Sequence, residues 1–325
     1  MFKRRYRNIS LNLGSVNTTV KYDKTDNLLK EPTVVAYDLR QKEFISYGLE
    51  AEKLVGRSPA SRINIRPFKR NFLKNYDALL YFIKNLLMKF GPLDQIRLMI
   101  SIPNFPNRRL KELLKEDLLA LGVNQVYVDE ELHAVAVYLE KYEMLKVSQY
   151  LLVDLGARQT SLASFVGDRL RVRLIGSGSD RFNYLIKEEF INNYGAILSN
   201  NTAEYLKRNF GTTGKKVTTI KVKAIEVKTG LPIYLNISSQ LIDQIYCQLI
   251  RNLSQEIKEF IKKLPLVIQN HIMKYGIILN GGGSLLNDLP LFLMKETNLP
   301  VLTPINPVDS AVIGGWEELI TSKKK

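Results

Sequence analysis

The chain has 325 residues, 45% of them hydrophobic, which is enough for two globular domains of ordinary size. One cysteine (Cys247) and two separate histidines (His133 and His271) exclude an internal disulfide and argue against a zinc site. No run of eighteen apolar residues is present, and the basic start lacks the apolar segment of a secretory signal, so we expect a cytoplasmic protein.

The first half of the chain predicts a β-hairpin followed by alternating helices and strands. A glycine turn separates the first two β-rich runs, and apolar residues then recur with helical period in two segments. Gly122 is placed as the C-terminal cap of the second helix, and a further helix begins near Glu130. The predicted elements are strands at 9–15 and 18–22, a helix at 76–90, a strand at 98–102, a helix at 110–121 and a strand at 126–128.

The second half begins with a similar strand–turn–strand pattern. A buried strand at 150–154 precedes a hairpin that turns at residues 167–168, a long amphipathic helix spans 239–262, and a strand follows at 276–279. Two units that each open with strand–turn–strand form a weak internal repeat. The sequence therefore predicts two related α/β domains with a cleft between them, where ligands prefer to bind.

Three glycine-bearing turns follow buried strands, at residues 13–15, 155–157 and 280–284. Successive backbone N–H groups in such turns form anion sites, although a single turn of this kind is usually plain turn chemistry. Two other segments resemble known phosphate-binding motifs, but neither matches its motif fully. Residues 211–216 have the wrong spacing for a P-loop, and the pattern that starts at Gly176 has arginine where its third glycine should be.

A series of short motifs resembles the MreB family of bacterial actins, within the actin-like ATPase superfamily. The family forms are IDLGTANT, NEPSVVA, GRTP with IRPxK, EEPxAAA, DIGGGTT, TAExIK, TGLP and LTGGGxLL. The corresponding segments here are LNLGSVNT at 11–18, KEPTVVA at 30–36, GRSP at 56–59 with IRPFK at 65–69, EELHAVA at 130–136, DLGARQT at 154–160, TAEYLK at 202–207, TGLP at 229–232 and LNGGGSLL at 279–286. The resemblance covers about residues 9–317 and identifies the chain as a divergent member of the family.

This resemblance implies an actin-like ATPase fold of two related α/β domains, divided into four subdomains around a nucleotide cleft. The implied boundaries are 1–32, 66–145 and 306–325 for subdomain IA, 33–65 for IB, 146–180 and 239–305 for IIA, and 181–238 for IIB.

ATP and Mg²⁺ are the cofactors that the resemblance implies. Glu131 would orient the water that attacks the γ-phosphate, although the residues alone favour the simpler interpretation of a carboxylate that stabilises a helix N-terminus. Asp154 would hold Mg²⁺ through water, and Asn12 stands where the family has an aspartate with the same task. The implied ATP-binding residues are Gly14, Ser15, Val16, Asn17, Gly156, Ala157, Arg158, Glu204, Tyr205, Leu206, Lys207, Gly282, Gly283, Ser284 and Leu285.

Several of these positions depart from the family pattern. Asn12 removes a negative charge beside the metal, and Gln159 replaces a threonine thought to assist the attacking water. Ala157 and Arg158 replace two glycines, and Arg158 could contact a phosphate or point to solvent. We therefore expect nucleotide binding with slowed hydrolysis.

The net charge of +15 has three interpretations: a solvated lysine-rich surface, an anionic membrane or nucleic acid. No nucleic-acid-binding motif is present, and basic residues concentrate at both ends of the chain, so a membrane surface is preferred and no nucleic acid is expected. The loop at 90–93 falls where the family carries an apolar membrane loop, with core packing as the alternative. The predicted membrane residues are Phe2, Tyr6, Phe90, Leu93, Lys323, Lys324 and Lys325.

The resulting functional prediction is a filament-forming protein at the inner face of the cell membrane that governs cell shape or shape-linked motility. Its expected partners are further copies of itself, paralogous MreB proteins and anionic lipid. The lysine- and asparagine-rich composition is compatible with a paralogue from a wall-less bacterium. A kinase of the same fold would need a catalytic aspartate and substrate-binding insertions that are not seen, and a heat-shock-type chaperone would need a longer chain. A hydrolysis-deficient scaffold or regulator remains open.

Overall fold

The computed structural model describes residues 6–23, 27–54, 61–69, 72–104, 109–146, 149–166, 169–211 and 216–321. The chain divides into two compact units: unit 1 comprises Met1–Val147 and Val308–Lys325, and unit 2 comprises Ser148–Pro307. The further division of each unit into two subdomains stays a prediction. In the described ranges, no helix combines the length and the apolar character needed to cross a bilayer.

Unit 1 is built around a five-stranded sheet. The strands of unit 1 as a whole are β1 (Arg7–Leu13), β2 (Asn17–Tyr22), β3 (Leu28–Pro32), β4 (Val35–Asp38), β5 (Glu43–Tyr47), β6 (Arg62–Ile65), β7 (Phe68–Lys69), β8 (Phe72–Leu73), β9 (Ile96–Ile102) and β10 (Gln125–Glu130). Its helices before residue 147 are α1 (Gly48–Lys53), α2 (Tyr76–Met88), α3 (Arg109–Ala120) and α4 (Glu131–Tyr142). The main sheet has the order β10-β9-β1-β2-β3, and smaller sheets have the orders β5-β4-β6 and β7-β8.

The core of unit 1 lies between the main sheet and the apolar face of α2. Asn75 caps this helix, because its side chain accepts a hydrogen bond of 2.8 Å from the backbone N–H of Ala78. Leu79, Phe82 and Leu86 are completely buried, as expected from their spacing of three to four residues. The helix ends at Met88, two residues before the end that the sequence predicts.

Unit 2 contains a second five-stranded sheet. The strands of unit 2 as a whole are β11 (Leu151–Leu155), β12 (Thr160–Val166), β13 (Arg169–Ile175), β14 (Ala196–Ile197), β15 (Thr219–Glu226), β16 (Pro232–Ser238), β17 (Ile277–Asn280) and β18 (Val301–Leu302). Its helices are α5 (Asp180–Tyr194), α6 (Asn200–Phe210), α7 (Ser239–Lys262), α8 (Leu266–Tyr275) and α9 (Leu289–Thr297). The predicted turn at 167–168 lies outside the described residues, but both strands that it joins are present.

The two main sheets share one topology, which confirms the prediction of two related α/β domains. In unit 1 the strands run β3-β2-β1-β9-β10, and in unit 2 they run β13-β12-β11-β17-β18. In each sheet the first three strands of this order pair antiparallel. The fourth strand pairs parallel with the central strand, and the fifth pairs parallel with the fourth. Parallel pairing places the carboxyl ends of neighbouring strands at one edge of the sheet. The glycine turns after β1, β11 and β17 lie at such edges.

The last helix of unit 1, α10 (Ser310–Thr321), fixes the position of α4. A Cβ atom added at Gly314 would lie 1.8 Å from the carbonyl oxygen of Ala134, so the two helix backbones approach closely at this point. The same helix is tied to β1, because the Ser10 hydroxyl donates a hydrogen bond of 2.8 Å to the carbonyl of Val312. Because α4 begins at Glu131, this packing positions a predicted site residue.

We expect Gly314→Ala to destabilise the protein by about 2–4 kcal/mol, since the clash involves backbone that cannot move aside cheaply. Gly176→Ala is the matched control, because a Cβ there would meet nothing within 4 Å. Urea unfolding of both variants measures the difference in the free energy of unfolding. Equal stabilities of the two variants would contradict the close approach of α10 and α4.

Candidate functional site

The first glycine turn of unit 1 joins β1 to β2 and is held by its carbonyl groups. The Thr33 hydroxyl donates to the Gly14 carbonyl at 2.8 Å, and the Thr33 N–H donates to the Val16 carbonyl at 2.8 Å. Arg66 also donates to the Val16 carbonyl, at 3.1 Å. A Cβ at Gly14 would lie 2.3 Å from the Asn17 carbonyl oxygen, so the turn requires glycine there. Ser15 and Val16 are partly exposed, and Asn17 is exposed at the rim of this turn.

Asn12 and Glu131 meet in unit 1, although 119 residues separate them. The Asn12 Nδ2 donates a hydrogen bond of 2.9 Å to Glu131 Oε1, and Asn12 is only 8% exposed. The other side-chain atom of this amide, Oδ1, is buried and accepts no hydrogen bond from the described residues. Buried acceptors normally have partners, so this oxygen is a candidate ligand contact.

A residue that the sequence analysis missed, Asn104, supports the start of α4. Its Oδ1 accepts a hydrogen bond of 3.2 Å from the Leu132 N–H, and its Nδ2 donates one of 2.8 Å to Glu130 Oε2. Asn104 is 5% exposed and follows β9, so it links the end of that strand to the first turn of α4. Glu131 therefore lies on a helix end that is held from two sides, by Asn104 and by α10.

In unit 2, Asp154 lies at the end of β11 beside Asn280 at the end of β17. The two residues are direct partners in the parallel pairing, and Asn280 Nδ2 donates a hydrogen bond of 2.8 Å to Asp154 Oδ1. Burial raises the pKa of Asp154, and the hydrogen bond from Asn280 opposes that shift. Asn280 was quoted within a sequence motif, but its side chain was given no role.

The second glycine turn follows Asp154 and packs against the start of α5. The Gly156 carbonyl accepts from the Ser179 N–H at 3.0 Å, and the Ala157 carbonyl accepts from the Asp180 N–H at 2.7 Å. A Cβ at Gly178 would lie 2.5 Å from both carbonyl oxygens, so only glycine fits. The segment that starts at Gly176 does not match a phosphate motif, but its backbone N–H groups hold the carbonyl groups of this turn in place.

The substituted residues of the second turn have definite contacts. The Arg158 Nε lies 3.8 Å from Asp180 Oδ2, so its guanidinium is directed to a carboxylate of α5. Gln159 Nε2 donates to the Ser161 hydroxyl at 3.3 Å, within β12. Thr160, the next residue, donates its hydroxyl to the Ser177 carbonyl at 2.7 Å. Arg158 thus has an acidic partner within unit 2.

The third glycine turn packs on the end of β11. Gly281 has φ +84°, and a Cβ at Gly283 would lie 2.3 Å from Leu155 Cγ. One turn of 3-10 helix, Gly282–Leu285, follows. Of its four predicted contact residues, Gly282 and Leu285 are exposed, whereas Gly283 and Ser284 are buried, and the Ser284 hydroxyl donates to the Gly281 carbonyl at 2.7 Å. Because the third turn packs on Leu155, the first residue of the second turn, the two turns form one surface of unit 2.

Helix α6 carries an ion pair between a buried lysine and a partly exposed glutamate among the predicted residues. Lys207 is 5% exposed, and its Nζ lies 2.7 Å from Glu204 Oε2. Burial raises the pKa of Glu204, but hydrogen bonds from Lys207, Asn183 and Arg208 outweigh it and lower the pKa to about 2. Asn183 was not predicted from the sequence. Its Oδ1 is buried and accepts no hydrogen bond from the described residues.

The remaining predicted residues of α6 differ in exposure. Tyr205 is 55% exposed, whereas Leu206 is completely buried in the core of unit 2. Only Tyr205 of this pair offers its side chain at the surface.

The predicted membrane residues fall into three groups. Tyr6 is 41% exposed, whereas Phe90 is 8% exposed and packs its ring 4.8 Å from that of Tyr22. Leu93 packs partly buried against the same core. The expectation that Phe90 meets lipid is therefore corrected, because the loop turns this ring into the core of unit 1. Phe2 and the lysines at 323–325 lie outside the described residues.

We expect Glu204→Gln to lower the free energy of unfolding at pH 7 by about 1 kcal/mol, because solvent partly screens the pair. The folded-state pKa of Glu204 is depressed, so its contribution is present above its ordinary pKa and is lost as the pH falls toward about 2. Urea unfolding from pH 7 to pH 3 should show the wild-type advantage shrinking below about pH 5.

Glu189→Gln is the control for this measurement, since its carboxylate accepts a hydrogen bond from Asn193 on the exposed face of α5. A pH-independent difference between Glu204→Gln and the wild type would contradict the assignment of the depressed pKa.

Comparison with known proteins identifies the family. The family model for MreB/Mbl protein matches residues 6–325. The cell shape-determining protein Mbl of Bacillus subtilis (strain 168) is 28% identical over 315 residues, covering 95% of this chain and 94% of that protein.

Two solved structures share the fold. The crystal structure of MreB5 of Spiroplasma citri bound to ADP has a TM-score of 0.86 at 21% identity, covering 99% of this chain and 98% of that chain. A MamK double helical filament has a TM-score of 0.77 at 16% identity, covering 97% and 98%. The fold is therefore actin-like, and by its family match the chain belongs to the MreB/Mbl family.

Proposed function

We propose that this chain is an MreB-like cytoskeletal protein that binds ATP with Mg²⁺ and polymerises into membrane-associated filaments governing cell shape or shape-linked motility. One observation carries the proposal. In each unit a glycine turn follows the central strand of the main sheet, and the penultimate residue of that strand is a buried oxygen acceptor, Asn12 in unit 1 and Asp154 in unit 2. Glycine turns bind phosphate through backbone N–H groups, and oxygen acceptors bind magnesium or its waters.

The residues fit a magnesium–nucleotide complex. Mg²⁺ usually keeps several waters, and Asn12 Oδ1 is a buried acceptor without a described partner, able to accept from such a water. Asp154 supplies a carboxylate, and its Oδ1 is held by Asn280. When bound, the ion would neutralise charge that develops on the phosphates. In support, the similar MreB5 of Spiroplasma citri was crystallised with ADP.

The chain's own residues would make hydrolysis slow. Glu131, proposed to orient the attacking water, already accepts a hydrogen bond from Asn12, which engages one of its carboxylate oxygens. Asn12 also provides no negative charge for the metal. Gln159 directs its amide to Ser161 in β12. Phosphoryl transfer depends on positioning and charge, so these changes reduce turnover while the backbone turns that cradle phosphate persist.

The second candidate function is a hydrolysis-deficient actin-like scaffold, or a regulator of a paralogous MreB. The hydrogen bond between Asn12 and Glu131 is the observation that favours it, because the same carboxylate serves as water-orienting group and as partner of Asn12.

Polymerisation needs a surface that meets a different surface of the next subunit. Unit 2 exposes apolar side chains at the start of α8, where Leu266 is 75% and Val267 is 65% exposed. Large exposed apolar residues beside one another often mark protein contacts. We propose this helix end as part of the contact between subunits. The likeness to a MamK double helical filament supports self-association.

ATP-dependent sedimentation, measured together with phosphate release, tests the proposal. We expect filaments with Mg²⁺–ATP and slow, saturable phosphate release. The variant Asn12→Asp/Gln159→Thr should release phosphate about tenfold faster, which corresponds to roughly 1.4 kcal/mol in the barrier. Val267→Asp is the assembly control and should bind ATP without sedimenting.

Filaments without phosphate release would favour the scaffold. If ATP binding were undetectable by calorimetry, the main proposal would fail. If neither filaments nor release were seen although ATP bound, the chain would be a regulator that needs a paralogue to assemble.

Membrane attachment is proposed through the basic ends of the chain, with Tyr6 as an exposed aromatic side chain near the first of them. Removal of residues 1–5 and 322–325 deletes six lysines and arginines. At roughly 1 kcal/mol for each basic residue near an anionic surface, the loss of vesicle binding should exceed tenfold. Co-sedimentation with anionic vesicles measures this, and uncharged vesicles and high salt are the controls. Unchanged binding would exclude the ends as the attachment site.

A further inference from the structure

The side chain of Asn280 links the second and third glycine turns of unit 2, which the family resemblance assigns to the phosphates and to the adenosine of the nucleotide respectively. Asn280 lies immediately before the third glycine turn, and its amide donates to Asp154, which lies before the second. Both side chains are buried, with 2% of Asn280 and 8% of Asp154 exposed. A hydrogen bond to a carboxylate in such surroundings is stronger than one at the surface, because water does not compete for it.

The backbone around this bond leaves little freedom. Asp154 and Asn280 are adjacent in the parallel pairing of β11 with β17. A Cβ at Gly281 would lie 2.9 Å from Asp154 Oδ1 and 2.6 Å from the Leu155 carbonyl oxygen. The carboxylate is therefore enclosed by the third turn on one side and fixed by the amide on the other.

We propose that Asn280 is a positioning residue that holds the Asp154 carboxylate for a magnesium-bound water and thereby couples metal binding to occupation of the third glycine turn. This inference rests on the proposed binding of Mg²⁺–ATP. A nucleoside bound against Gly282 and Leu285 would restrain the turn, and through Asn280 the same restraint would reach Asp154. Two sites that bias one shared arrangement are coupled reciprocally, so metal would in turn tighten nucleotide binding.

The residue types at 12 and 280 support this role. Where the resembling family has aspartate and threonine, this chain has Asn12 and Asn280. The first change removes a carboxylate that the resemblance assigns to the metal. The second places an amide donor 2.8 Å from the Asp154 carboxylate, which the chain keeps.

The test compares Asn280→Thr with Asn280→Val, which have nearly the same shape and differ in a hydrogen-bond donor. Calorimetry measures the dissociation constant for ATP with Mg²⁺ and with a chelator instead. We expect the valine variant to lose about tenfold in affinity with Mg²⁺, the effect of one hydrogen bond to a charged group, and to change less than about twofold with chelator. The threonine variant should retain most of the metal preference. Thermal melting checks that both variants fold, and Asn280→Leu replaces the valine variant if that one does not.

A double-mutant cycle with Asp154→Asn shows whether Asn280 acts through the carboxylate. In the Asp154→Asn background, Asn280→Val should cause no further loss of metal preference. Equal losses with metal and with chelator would mean that Asn280 only maintains the third turn, and this would overturn the inference, as would an unchanged metal preference. Absence of ATP binding by the wild type would instead refute the proposed function itself.

Discussion

Parallel pairing of the central strand with its neighbour is the constraint on which the candidate site depends in each unit. Because β1 runs parallel to β9, and β11 runs parallel to β17, the carboxyl ends of paired strands meet at one edge. Asp154 and Asn280 meet at such an edge. Asn12 is the penultimate residue of β1, and β10, on the far side of β9 in the same sheet, leads into α4 and Glu131. Residues more than a hundred positions apart therefore become hydrogen-bond partners, because the pairing of the strands places them side by side.

The asparagine at position 12 has a structural consequence as well as an electrostatic one. A carboxylate in its place would lie within hydrogen-bonding distance of Glu131, and two carboxylates that close raise each other's pKa or require a cation between them. The amide turns that repulsion into a hydrogen bond. Unit 1 can therefore keep its arrangement without a metal, whereas the family's aspartate would favour metal binding more strongly. Asparagine at position 12 therefore removes a charge and supplies a hydrogen-bond donor to Glu131.

Much of the fold could be predicted because it is encoded locally. Helical period marks α2 and α7, and the glycine turns after β-rich runs mark both hairpins. The supporting residues could not be predicted in this way. Asn104, Asn183 and Gly178 act on positions that are distant in sequence, or on backbone carbonyls of another turn, and no local pattern reports such contacts. Phe90 shows the opposite failure, since an aromatic residue at a helix end has the same pattern whether it faces lipid or core.

Two glycines of the family pattern are absent from the second turn, and their loss bears differently on the proposed binding and on the proposed hydrolysis. Neither Ala157 nor Arg158 has a positive φ, so a side chain at these positions does not strain the backbone. The close approach that does require glycine falls on Gly178. A phosphate cradle made of backbone N–H groups survives such substitutions, because it depends on the path of the chain. The proposed water activation would instead depend on side chains, so the divergence at position 159 acts on the proposed hydrolysis before it acts on the proposed binding.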